Sequence, residues 1–232
     1  INNYFVGKAV HNMYPQYTCN GKISRREKKE MQKTVAGIAI GKLASSSRNS
    51  FDNIVLSFFC GLKDVAIYGN YYYIFNAVIA VHSIFVDSIA AGVGNCVVEK
   101  DKNSNYKDFQ KVHFYFSWFG SWCCICMSCL YQIFMQIWVG KNLVVKNSTM
   151  LLFCIYYYIT QMGYAKSVYG RACGIWWNTK HYAILEAMTN LGLNLCLGYV
   201  WGMNGVLLAT IISVLIFSII FNGKKVIEIC FE

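Results

Sequence analysis

Six stretches of the chain stay apolar long enough to cross a bilayer, at roughly 34–60, 65–98, 112–137, 148–170, 181–200 and 203–222. A helix needs about 20 residues to span the hydrocarbon core. The second stretch exceeds that length, so it is expected to tilt or to project into the aqueous phase. Between the stretches lie the polar segments GLKD, EKDKNSNYKDFQK, WVGKNLVVKN, GRACGIWWNTK and GYVWGMNG. Pro15 is the single proline and precedes every stretch, so none of the six helices is expected to carry a proline kink. This pattern predicts an all-α membrane protein, a polytopic bundle of six transmembrane helices over 34–222. A basic connector precedes it over 1–33, and a tail follows over 223–232.

Charge orients the bundle. On one side of the predicted membrane the connector holds Lys8, Lys22, Arg25, Arg26, Lys28, Lys29 and Lys33. Lys100, Lys102, Lys107, Lys111, Arg171, Lys180, Lys224 and Lys225 join them there. Lys63, Lys141 and Lys146 are the basic residues of the other side. Basic residues collect in cytoplasmic loops, so both ends of the segment are expected in the cytoplasm. The net charge of +10 therefore reads as topology and contact with anionic headgroups, not as nucleic-acid binding. Composition agrees: 56% of residues are hydrophobic and 14% charged, with a mean hydropathy of +0.37, against about 25% charged in soluble domains. The chain is expected to be a piece of a longer protein.

Polar residues inside the spans carry the candidate chemistry, because charge in the hydrocarbon is costly. Gly41, Ser45, Arg48 and Asp52 share one face of the first span, with Lys42, Ser46, Asn49 and Asn53 along its edge. If the span ends near Cys60, Asp52 lies about 12 Å below that surface. Arg48 is expected to pair with it, on a face lining a cavity or clamping two helices together. The second span carries Asn70, Asn76, His82, Ser83, Asp87 and Asn95, and the fourth carries Tyr164 and Lys166. In the fifth span Tyr182, Glu186, Asn190 and Asn194 recur at every fourth position, as a wet lining or a hydrogen-bonded seam.

The expected substrate-facing set is Arg48, Asp52, Asn53, Asn76, Tyr164, Lys166, Glu186, Asn190 and Asn194. Asp52, Asp87 and Glu186 are the candidates for ion coupling. No catalytic triad, phosphate-cradling loop or hydrolase carboxylate pair is present, so no enzyme activity and no cofactor are expected. Most of the 11 cysteines sit in or beside apolar runs and read as small hydrophobes, not as a disulfide framework. The Cys126–Cys129 CxxC lacks the second ligand pair that a zinc site needs.

Along most of its length the chain resembles a known family. FDNIVLSFFCGLKDVAIYGNYYYI, with Asp52-Asn53 and Tyr68-Gly69-Asn70-Tyr71, is similar to a helix–helix junction of Wzx-type O-antigen and capsular polysaccharide flippases. These belong to the oligosaccharide flippase family of the multidrug/oligosaccharidyl-lipid/polysaccharide exporter superfamily. Gly94-Asn95, Ile137-Trp138-Val139-Gly140, ACGIWWNTKHYAILEAMTNLGLNL at 172–195, and YPQY…REKKEMQK follow in matching order. The chain departs from the family at Gly170-Arg171 and at Asn178-Thr179, where acidic residues commonly stand.

The resemblance implies one lobe, the C-terminal one, of a two-lobe exporter fold, with Ile1 near the inner end of the sixth helix of the whole. It implies a transporter in the bacterial inner membrane that flips lipid-diphosphate-linked oligosaccharide repeat units for O-antigen, capsule or exopolysaccharide synthesis. Its partners would be that substrate, the bilayer, and the polysaccharide polymerase and chain-length machinery. Two alternatives stand beside it. One is a drug or cation exporter of the same superfamily, with an acidic lining. The other is a membrane-embedded polysaccharide polymerase or ligase, which would need a sizeable outer loop.

Overall fold

The computed structural model describes residues 2–16 and 23–232. Lys22 and the Tyr17 end of YPQY, like Ile1, lie outside the described residues. Two compact units divide the chain, 1–33 and 34–232. Every regular element among the described residues is helical.

The first unit holds α1 (Asn2–Met13) and the opening turns of α2 (Arg25–Phe59). A reciprocal cap starts α2. Ser24 Oγ accepts from the Glu27 amide at 3.2 Å, and the Glu27 carboxylate accepts from the Ser24 amide at 3.0 Å. These bonds favour the ionised carboxylate and hold it below its usual range.

The second unit is a helical bundle. After α2 come α3 (Leu62–Glu99), α4 (Lys102–Trp138), α5 (Asn147–Met162), α6 (Tyr164–Ala172) and α7 (Trp176–Ser213). A π-helical segment (Val214–Phe221) and α8 (Asn222–Phe231) complete it. Among the described residues three helices are long and apolar enough to cross a membrane: α3, α4 and the continuous stretch Trp176–Phe231. With 38 and 37 residues, α3 and α4 are each about 55 Å long, far beyond the hydrocarbon thickness. Their outer faces expose large apolar side chains such as Ile84, Phe114, Trp118, Ile125 and Ile137. Surfaces of that kind need a nonaqueous partner. The other helices fall short for physical reasons. Lys42, Arg48 and Asp52 dilute α2, and a break at Gly163 separates α5 from α6.

Several connections are shorter than the polar pattern predicts. EKDKNSNYKDFQK is nearly all helix, and only Lys100 and Asp101 separate α3 from α4. Asp101 caps α4 by accepting from the Ser104 amide at 3.2 Å. Asp108 bridges Lys100 at 2.7 Å and Lys111 at 3.3 Å. No proline or glycine interrupts this first part of the helix. Charge alone had made it read as a loop. The tail expected over 223–232 is likewise helical: α8 buries Val226 against α6 and Ile175.

The 56-residue stretch Trp176–Phe231 is not one rod. Gly202 has φ 54° and ψ −131°, and the chain reverses there. A Cβ on Gly205 would stand 1.9 Å from the Leu197 carbonyl oxygen, so only glycine lets the two arms meet. Contacts then step outward symmetrically: Gly198 with Val206, Asn190 with Thr210, and Tyr182 with Phe221. The first arm also runs parallel to α2, with contacts from Gly37–Trp176 through Asp52–Asn194 to Cys60–Gly202.

Two cores fill the bundle. The larger is aromatic, with Tyr68, Tyr71, Phe75, Tyr131, Phe153 and Tyr157 from α3, α4 and α5. The smaller surrounds Phe109, Tyr169, Ile175 and Val226. Beside it Cys173 and Cys230 are joined as a disulfide. The packing of α8 on α6 brings together these two residues, 57 apart in sequence.

Candidate functional site

The parallel packing of α2 on the first arm of α7 builds the site. At its upper end Gly37 lies against the backbone of Trp176 and Trp177, where a Cβ would come within 2.7 Å of the Trp176 carbonyl carbon. Below this contact the helices part around a cavity of about 320 Å³. Its polar lining includes Lys42, Ser45, Arg48, Thr179, Lys180 and Glu186. A recess of about 110 Å³, reached past Ser167, Thr179 and Asn222, adds Lys166 and Arg171. The charged side chains lining the two are thus five cations and one carboxylate. The space favours an anion.

Arg48 does not pair with Asp52. Its guanidinium bonds the Glu186 carboxylate across the helix interface, and both side chains are mostly buried, at 16% and 13% exposed. The i, i+4 spacing on one helix allowed the expected pair, but the close approach of α7 supplies a carboxylate in a better direction. Arg48 Nε remains without a hydrogen-bond partner among the described residues.

Asp52 sits one turn further along α2, 3% exposed, in a second polar cluster. Asn194 Nδ2 donates to Asp52 Oδ1 at 2.6 Å, and Thr210 Oγ1 lies 3.1 Å from Asp52 Oδ2 and 3.1 Å from the Val206 carbonyl oxygen. Asn190 Nδ2 donates to Thr210 Oγ1 at 3.0 Å, and Asn194 Nδ2 reaches Asn190 Oδ1 at 3.1 Å. Asn194 Oδ1 is buried without a partner among the described residues. One carboxylate, two amide oxygens, a hydroxyl and a backbone carbonyl form an oxygen set suited to a hard cation. The same carboxylate is also a place for a proton. The described residues hold no cluster of three or more His, Cys, Asp or Glu.

The remaining candidates lie elsewhere. Lys166 lines the recess and donates to the Ile219 carbonyl, in the π-helical segment, at 3.0 Å. Tyr164 stacks on His82 in the smaller half of the bundle. Asp87 is exposed and pairs with Arg171 at 3.6 Å, which keeps it outside the Asp52 cluster. Asn53 and Asn76 are exposed, because each directly follows a buried residue, Asp52 or Phe75, and a helix turns about 100° per residue. Thr210 and Lys180 belong to the site although the sequence reading passed over them. Thr210 had a signal, as a polar side chain in the apolar run GVLLATII.

The chain matches no protein-family profile, no curated protein and no solved structure.

Proposed function

We propose that the chain is one lobe of a bacterial inner-membrane transporter that flips lipid-diphosphate-linked oligosaccharides. In this reading it crosses the membrane six times. The segments are α2 from about 34, α3, α4, α5 with α6, and the two arms that meet at Gly202. Both ends lie in the cytoplasm. The chain carries no catalytic group, and its partners are the lipid-linked glycan and the polymerase and chain-length machinery that use it.

The observation that carries this reading is the charge of the cavity. Five cations and one carboxylate line it and its recess. A diphosphate needs such a lining, because it loses its hydration on leaving the headgroup region and must regain charge-assisted hydrogen bonds. A lining of this sign disfavours a cationic drug. The resemblance to oligosaccharide flippases points to the same substrate class. Asp52, with Asn190, Asn194 and Thr210, is the coupling site, where a sodium ion or proton would exchange while substrate occupies the cavity.

Expression of the full-length protein in a bacterial strain lacking its own flippase tests this. Restored surface polysaccharide with unchanged drug susceptibility supports the proposal. Raised drug resistance without polysaccharide favours the exporter instead.

A further inference from the structure

Seven buried nitrogen and oxygen atoms lie between α3, α4 and α5–α6 with no nitrogen or oxygen partner among the described residues. They are both ring nitrogens of His82, His113 Nδ1, Ser117 Oγ, Tyr157 Oη and both amide atoms of Gln161. His82, Tyr157 and Gln161 are wholly buried. Their neighbours place them in one seam. The His82 ring packs on Phe116 and Phe119, which flank Ser117 on α4, with centroids 5.4 and 5.2 Å away. Gly120, one turn beyond Ser117, meets Gln161, where an added Cβ would be 3.0 Å from the Gln161 Cβ. Tyr164, one turn beyond Gln161, stacks back on His82 at 5.5 Å. Tyr157 is one turn before Gln161 and faces the Cys123 thiol, and His113 is one turn before Ser117.

Buried polar groups are almost always bonded, and a cluster of stranded ones marks a missing partner. The chemistry of this cluster names the partner. A neutral imidazole offers one donor and one acceptor, a glutamine amide offers both kinds, and each hydroxyl offers both. The set is balanced and holds no carboxylate, so it suits water, not a metal ion. We propose that the seam is a hydrated proton-binding site, in which trapped water bridges these side chains and His82 takes up and returns a proton through it.

The proton enters on water, adds to the free imidazole nitrogen, and leaves by the same route. Phe116 and Phe119 cover the His82 ring from α4, and Tyr164 covers it from α6. The charges beyond are Lys166, which acts on His113, and the Asp87–Arg171 pair, which acts on Tyr164. The site is distinct from the Arg48 cavity and does not depend on which substrate that cavity takes.

Two readouts on the full-length protein in detergent test the proposal. In radiolytic footprinting, with rates normalised to each residue's intrinsic reactivity, trapped water should make Tyr157 label faster than Phe153, which is equally buried in the aromatic core. In 15N-histidine spectra, assigned by His82→Gln, the His82 nitrogen shifts should change as pH is lowered. Gln161→Leu should reduce the Tyr157 labelling, and Ser117→Ala serves in its place if that variant fails to fold. Labelling of Tyr157 as slow as that of Phe153 would overturn the proposal. So would His82 nitrogen shifts that stay flat as pH is lowered.

Discussion

Glu186→Gln keeps the shape of the side chain and removes its charge, leaving the Arg48 guanidinium mostly buried without its ion-pair partner, in a cavity that Lys42 and Lys180 also line. Breaking a buried ion pair from one side costs about 3–5 kcal/mol, because the remaining charge is left uncompensated. For a domain of this size each kcal/mol moves the melting temperature by about 2–4 °C. The expected fall is therefore about 6–20 °C. Replacing both partners, as Arg48→Met/Glu186→Gln, removes the stranded charge and should recover most of that loss. Arg48→Met alone strands Glu186, and adding Asp52→Asn should recover none of that loss, because Asp52 is bonded to Asn194 and Thr210 and not to Arg48. The assay is thermal unfolding of the purified full-length variants in one detergent, analysed as a double-mutant cycle. Strictly additive effects of Arg48→Met and Glu186→Gln, or a fall below about 2 °C for Glu186→Gln, would refute the pairing.

Gly205→Ala should be far more damaging than its size implies, at least about 3 kcal/mol, because its Cβ meets backbone at 1.9 Å and not a movable side chain; thermal unfolding reads it. If Asp52 heads a cation site, sodium at about a hundredfold above its dissociation constant should stabilise the protein by about 2.7 kcal/mol, and Asp52→Asn should abolish that shift. Glu27 and Asp101 have carboxyls held below their usual range by the caps they form. Their stabilisation is present above the unfolded carboxylate pKa and is lost as pH falls through the lowered folded value, so acid should lower the amide protection factors, corrected for the intrinsic exchange rate, at the starts of α2 and α4 first. Single cysteines at positions 63 and 106, in a background without native Cys, should label from opposite sides of the membrane, and labelling from one side would end the six-span arrangement.

The helical bundle was legible because apolar length is a one-dimensional signal. The polar face through Ser45, Arg48 and Asp52, and that through Glu186, Asn190 and Asn194, were legible through helical spacing. Their joining was not. Spacing reports which residues share a face, but not which face of another helix opposes it, so Arg48 was matched to Asp52 on its own helix. The parallel packing that brings Glu186 to Arg48 depends on Gly37 and Gly202, whose roles lie in close backbone approach and in a positive φ. Residues 102–111 misread for the opposite reason: their charge suggested a loop, while the cap at Asp101 and uninterrupted helix formers kept them helical.

The central claim is that the Arg48 cavity selects a diphosphate-bearing lipid. Native mass spectrometry of the full-length protein with an isoprenyl diphosphate lipid and a neutral glycolipid tests it most directly. The account predicts retention of the diphosphate lipid by the native protein, poor retention of the neutral one, and loss of this preference in Arg48→Met/Glu186→Gln, whose melting temperature should recover most of the loss seen in Glu186→Gln. Equal retention of the two lipids, or an unchanged preference in that variant, would contradict it.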